Sequence, residues 1–278
     1  MEDELQITLT NDYAFKRLLG SEENKPLLQD LLECILDLSP EDVGELELMD
    51  KELTKEDLSD KTGILDVKLR LKNGTVIDVE IQTSWNVSFV KRTLFYWAKM
   101  YTVDFKAGES YDKLHKCITI NIIADTFPLN TAMHSQYLLQ EKEKHTILTD
   151  VLEIHFLDLQ VAKRAKEEGK SKRSKLINWL KFIGTSDKEE RAMLATKSPI
   201  LKMLNEKIDV LTLSPVERKL YESRMKLKSD IATISESQFN AGRQEGKLET
   251  ARLMKQANCE STFIEKMTGL TAEEIAQL

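Results

Sequence analysis

The sequence predicts an α/β fold, a mixed sheet flanked by helices and followed by an α-helical C-terminal region. Three observations carry this expectation. Residues 63–83, GILDVKLRLKNGTVIDVEIQT, alternate apolar and polar on both sides of Asn73-Gly74, which marks a β-hairpin. Cys117 to Ala124, CITINIIA, is almost wholly apolar or β-branched, as in a strand buried on both faces. A helical segment precedes it, and a strand–helix–strand connection makes that strand parallel to its partner. From about Gln160 onward the composition shifts to helix formers.

The chain opens with a cap signal, Thr10-Asn11-Asp12, and a helix from Asp12 to Leu19 closed by Gly20. Asp12 and Lys16 lie four apart and share a face, a spacing worth ~0.2–0.5 kcal/mol as a local ion pair. A second helix, about Asn24 to Leu36, carries Leu27, Leu28, Leu31, Leu32 and Ile35 at core spacing, with Cys34 an inert neighbour. Val43, Leu46 and Leu48 suggest a first strand within 43–51, and 52–62 is a charged loop.

The hairpin register follows from its own pattern. A three-residue loop, Lys72-Asn73-Gly74 with Gly74 left-handed, pairs Leu71 with Thr75. Leu65 then meets Ile81, Val67 meets Val79 and Leu69 meets Ile77, which keeps one face apolar. The same register sets Lys68 opposite Asp78 and Asp66 opposite Glu80, with Cβ atoms roughly 4.5–5.5 Å apart. Two carboxylates that close repel unless a cation stands between them, and a hard divalent ion such as Mg²⁺ takes such oxygens. Polar residues alternating with apolar ones also describe any half-solvated antiparallel strand, with Lys68–Asp78 a surface pair worth ~0–1 kcal/mol.

Ser84-Trp85-Asn86 ends the hairpin pattern, and Val87 to Phe105 reads as a long helix. Its broad apolar face is Val87, Val90, Leu94, Phe95, Trp97, Ala98, Tyr101 and Phe105. Arg92, Tyr96 and Lys99 form one polar stripe, as a solvated edge with snorkelling side chains also would. Ser135 to Glu141 and Val151 to Leu157 are further strands, joined by a charged connection over 142–149. His115, His134, His145 and His155 read as structural, since no two have metal-ligand spacing. Residues 163–175, KRAKEEGKSKRSK, read as a solvated connector or a phosphate-contacting loop. Helices follow at about 174–184, 187–196, 199–211 and 216–230, with Ser198 and Ser214 as caps before Pro199 and Pro215. A long helix over 231–258 and two short ones end the chain, Thr271 and Glu274 forming a capping box. This tail has a helix-turn-helix look that suits dimerisation or DNA contact. The expected domains are 1–158, a helical extension 159–230, and the tail region 231–278.

Lys and Arg total 40 against 47 Asp and Glu, a net charge of −7 that argues against a protein coating nucleic acid with its whole surface. It leaves room for a metal site with a local basic groove. No run of eighteen apolar residues suggests a membrane span, and no signal-peptide core opens the chain. Three scattered cysteines argue against a disulfide framework or structural zinc and fit a cytoplasmic setting.

Asp66 followed by the trio Glu80-Ile81-Gln82 resembles the core of the PD-(D/E)XK nuclease superfamily. Within it the chain is similar to the Rpn family, recombination-promoting nucleases also described as PD-(D/E)XK nuclease family transposases. The likeness takes in NDYAFKRLLG at 11–20, ENKPLLQDLL at 23–32, ILDVK at 64–68, VEIQ at 79–82, KRTLFYWAKMY at 91–101 and GESYDKL at 108–114. It implies a restriction-endonuclease-like domain over 1–158 and a DNA endonuclease dependent on Mg²⁺, with Mn²⁺ as a substitute. Asp66, Glu80 and the backbone carbonyl of Ile81 would hold the metal. Gln82 stands where the superfamily has Lys, and would orient water or bridge to phosphate; Lys68 would supply a charge from another position. Arg92, Tyr96 and Lys99 would face the carboxylates and contact DNA phosphate, and the N-terminal helix would lean Lys16 over the site. Asp66→Ala is expected to abolish cleavage and leave the fold intact. Two alternatives stay open: a catalytically lapsed nuclease fold used for interaction, favoured by Gln82 and the acidic charge, and a scaffold acting through residues 160–278.

Overall fold

Six strands form one mixed sheet in the computed structural model of the chain. It describes residues 7–36, 38, 40–49, 65–83, 88–103, 105–125, 132–167, 169, 171–210 and 214–278. The expected loop 52–62, Ile64, Ser84 to Asn86 and Val87 lie outside the described residues. The chain divides into two compact units, one ending at Tyr221 and the other Glu222–Leu278.

The strands are β1 (Leu46–Leu48), β2 (Val67–Leu71), β3 (Val76–Gln82), β4 (Cys117–Ile123), β5 (His134–Gln140) and β6 (Ile147–Asp158), in the order β1-β2-β3-β4-β6-β5. The hairpin β2–β3 has the register that its pattern requires: Val67↔Val79, Lys68↔Asp78, Leu69↔Ile77. The Leu71 amide donates to the Thr75 carbonyl at 2.9 Å, and Gly74 closes the turn at φ +87°. A Cβ at Gly74 would also come within 2.5 Å of His115 Nδ1, so this position needs glycine for its φ and for its space. β4 runs parallel to β3, as the helical crossover between them demands, and β6 runs parallel to β4.

One face of the sheet shares a single apolar core with helices from both ends of the unit. α1 (Asp12–Leu19) and α2 (Lys25–Ile35) contribute Phe15, Leu27 and Leu31. After the short α5 (Leu159–Arg164), α6 (Lys172–Gly184), α7 (Lys188–Ala195) and α8 (Pro199–Asp209) contribute Trp179, Leu194 and Leu204. The sheet contributes Val67, Val79, Ile120 and Leu157. Asn11 caps α1 by accepting from the Tyr13 and Ala14 amides, and its Nδ2 donates to the Tyr221 carbonyl at 3.3 Å.

Five local expectations are corrected. Val43 belongs to a short helix, α3 (Pro40–Gly44), so β1 starts only at Leu46. Leu65 joins Val76, Met100 and Cys117 on the far face, because the chain bends at Asp66 ahead of β2. The helix after the hairpin, α4 (Phe89–Thr102), buries Phe89, Thr93 and Met100, while Leu94 and Phe95 stay exposed at 43% and 38%. β6 begins at Ile147, inside the stretch read as a charged connection. The expected helices 216–230 and 231–258 are one, α9 (Pro215–Gln256), since no glycine or proline interrupts 216–241.

In the second unit, α10 (Ser261–Thr268) and α11 (Ala272–Ala276) fold against the end of α9 around Ala251, Ile264, Leu270 and Ile275. Gly269, at φ +68°, ends α10, and Thr271 with Glu274 makes the full capping box. No helix among the described residues is long and apolar enough to cross a membrane.

Candidate functional site

The polar face of the hairpin is the starting point, and it is not solvated. Asp66, Lys68, Asp78 and Glu80 are 5%, 5%, 1% and 6% exposed. Strand alternation marks them as outward-facing, but α4 covers that face, with Met100, Trp97 and Tyr96 packed on the sheet. The acids therefore stand in low dielectric, where each charge needs a close partner.

Asp66 and Glu80 are locked together through the backbone. The Asp66 amide donates to Glu80 Oε1 at 2.9 Å, and the Ile81 amide donates to Asp66 Oδ2 at 2.8 Å. Ile81 thus meets Asp66 through its N–H. Asp66 Oδ1 takes Lys16 Nζ at 2.8 Å, and Asp12 stands 3.9 Å from the same ammonium. The α1 helix does lean a cation over the pair, and it is Lys16 that neutralises Asp66. Lys68 instead faces Asp78 across the hairpin.

Glu80 Oε2 accepts from Gln82 Nε2 at 2.9 Å, and Gln82 Oε1 accepts from Arg92. Arg92 also lies over the Phe89 ring, 5.1 Å from its centroid. A continuous chain of polar contacts thus runs from the α4 guanidinium through Gln82 and Glu80 to the Asp66 backbone. Tyr96 is half-buried one turn further along α4, its phenol pushed up by burial and by the charge of Glu80. Lys99 lies on the same helix, half-buried and beyond Tyr96.

Burial pushes the Glu80 carboxyl up to about 8, and Asp66 adds to the effect. Burial also raises Asp66, with Lys16 pulling it back. Asp78 is raised well above the usual carboxylate range by burial and then by Glu80 and Asp66. Its Oδ1 finds no hydrogen-bond partner. Glu80 thus keeps a proton that a free glutamate would shed at neutral pH.

Each oxygen of Glu80 takes a neutral amide N–H, whereas Asp66 has an ammonium. The charge that Glu80 lacks is what a divalent cation would provide. Two carboxylates and a peptide carbonyl are hard donors of the kind Mg²⁺ takes while keeping water and phosphate in its other positions. The residues fit the group on that chemistry. No cluster of three or more His, Cys, Asp or Glu arranged for a metal occurs among the described residues.

Sequence reasoning missed two members of this site. Asp78 reads as half of a surface pair, yet it is the most buried of the three acids. Asn121 pairs in register with Glu80, is 2% exposed, and is held by Thr93 Oγ1 at 3.3 Å and by the His155 carbonyl at 3.2 Å. Its signal was a single amide in an otherwise apolar strand.

Two of the four histidines meet. His134 Nε2 and His155 Nδ1 are 2.7 Å apart, and His155 Nε2 lies 2.7 Å from Glu153 Oε1. Pairing of β5 with β6 brings this about across 21 residues of sequence.

A family model described as PD-(D/E)XK nuclease family transposase matches residues 9–238, well over half of the chain. No curated protein and no solved structure matches.

Proposed function

The chain belongs to the PD-(D/E)XK nuclease family of transposases, and from that premise we propose that it is a Mg²⁺-dependent DNA endonuclease hydrolysing phosphodiester bonds. One observation carries the proposal: Asp66, at the bend just ahead of β2, and Glu80 of β3 are held in direct hydrogen-bond succession. Asp66, Glu80 and the Ile81 carbonyl would hold the ion. Bound there, the ion would lower the pKa of water and offset charge on the scissile phosphate.

The remaining steps fall to side chains. Lys16 balances Asp66 and, at the site edge, would steer a phosphate oxygen. Arg92 sets the Gln82 amide, so that Gln82 holds Glu80 and would orient the attacking water. The Arg92 guanidinium would offer further N–H groups to phosphate, and along the same helix Tyr96 would offer its hydroxyl and Lys99 its ammonium. Lys68 would hold Asp78 and thereby the field around Glu80. The cellular setting we infer is DNA recombination, in the cytoplasm, with DNA and a second copy of this chain as partners.

The test is cleavage of supercoiled plasmid with Mg²⁺, with Mn²⁺ and with EDTA. Metal-dependent nicking by the wild type, lost in Glu80→Gln, is the expected result. Equal nicking by both proteins would sink the assignment of Glu80. A second reading has its own observation: Gln82 replaces the superfamily lysine and is already engaged by Arg92 and Glu80. That favours a lapsed nuclease used for interaction, and DNA retention without cleavage under any divalent ion would select it.

A further inference from the structure

A cavity of about 300 Å³ opens at the turn end of the hairpin, on the face that α4 covers. Tyr101 and Phe105 supply aromatic wall, Val76 and Met100 the floor, and Arg70 and Lys113 two positive charges beside the one carboxylate of the lining, Glu109. His115 is the remaining ring, seated over Gly74, where any Cβ would strike it. The wall is stiff. Tyr101 stacks on Trp97 with centroids 4.8 Å apart, and Phe105 stacks on Tyr111 at 5.4 Å. The Trp97 indole N–H donates to the Cys117 carbonyl at 2.9 Å. Lys113 is positioned by Glu109 at 2.9 Å while its side chain stays 64% exposed.

A cavity of this size suits a small molecule. Flat aromatic wall next to guanidinium and ammonium matches a ligand with a π-face and an anion, which is the chemistry of a nucleotide. We propose that this cavity binds a nucleotide, its base against Tyr101 and Phe105 and its phosphate towards Arg70 and Lys113. Nothing in the proposed hydrolysis uses these residues. Val76 at the cavity and Glu80 at the acid cluster share one face of β3, four residues apart, or about 13 Å at 3.3 Å per residue. That distance equals about four nucleotide steps of duplex rise. The bound nucleotide therefore has two sources, a free mononucleotide or one unit of a DNA strand lying on the same face.

The test is calorimetric titration of the full chain, free of divalent ions, with dAMP, with a short single-stranded oligonucleotide and with inorganic phosphate. Saturable binding of dAMP identifies the free nucleotide; binding of the oligonucleotide alone identifies a unit of the strand. In either case Lys113→Glu and Phe105→Ala weaken binding by about ten-fold or more, the size of one charged hydrogen bond. Lys113→Glu changes an exposed side chain and stands alone should Phe105→Ala fail to fold. Three results would overturn the proposal: no binding of dAMP or oligonucleotide, phosphate binding as tightly as dAMP, or Lys113→Glu binding like the wild type. Each is readable whether or not the protein cleaves DNA.

Discussion

At the residue scale, the protein turns on what it costs to keep Glu80 charged. Its carboxyl lies near 8 in the fold against 4.5 for an ordinary glutamate. Between those values the folded chain holds a proton that the unfolded chain has released. The stability this group contributes is fully present below the unfolded value, declines as pH rises, and is lost through about 8. Asp66 and Asp78 are raised and act in the same direction. The melting temperature of the metal-free protein should therefore fall from pH 5 to pH 8, less steeply in Glu80→Gln, and Mg²⁺ should restore it most at the alkaline end. A scan with no such slope would contradict the buried acid cluster. The structure also changes the choice of Asp66 variant. Asp66 accepts the Ile81 amide, so Asp66→Ala leaves a buried N–H unmet, at about 1–3 kcal/mol. Asp66→Asn keeps an acceptor and is expected to lose cleavage with a smaller shift in denaturant midpoint than Asp66→Ala.

At the scale of elements, α4 and α1 are the two arms of the site. Arg92→Ala frees Gln82 and, on the proposed function, would remove a donor towards phosphate, so kcat should drop by about 10²-fold, the usual size for one preorganised donor. Arg92 is only half-buried, so the melting temperature should barely move; a large fall would assign it a structural role instead. The cap of α1 makes the opposite prediction. Asn11→Ala loses both the cap and the bond to the Tyr221 carbonyl. About 1 kcal/mol of stability should go with the cap alone, read from chemical unfolding. α4 also shows where local reading fails. Its apolar residues span more than half its circumference, so periodicity could not choose the inner face. The sheet beneath chose Phe89, Thr93 and Met100, because those meet Asn121 and the two apolar clusters of that face.

At the scale of the molecule, the helices after the sheet are part of the same core up to Tyr221, whose hydroxyl accepts the Thr8 amide at 2.9 Å. The second unit carries exposed Leu227, Ile231, Ile234 and Phe239 on α9. We expect these to form the dimer contact. A chain ending at Lys226 keeps Tyr221 and should sediment as a monomer, where the full protein sediments as a dimer, while still nicking plasmid. The same oligomeric state for both chains would remove the C-terminal helices as the interface.

The hairpin, its three-residue turn and its register were legible in the sequence because strand alternation and left-handed glycine are local properties. The parallel β4 was legible because a crossover helix permits no other direction. Asp66 was expected opposite Glu80 by the same register; it stands instead at a bend ahead of the ladder, and the two meet through bonds from backbone amides to carboxylates. What only the tertiary structure decided was their surroundings. α4 buried a face that alternation marks as wet, α1 delivered Lys16 from fifty residues away, and β5–β6 pairing joined His134 to His155. Such contacts depend on which distant segments share the space above a sheet. No periodicity within a segment encodes that.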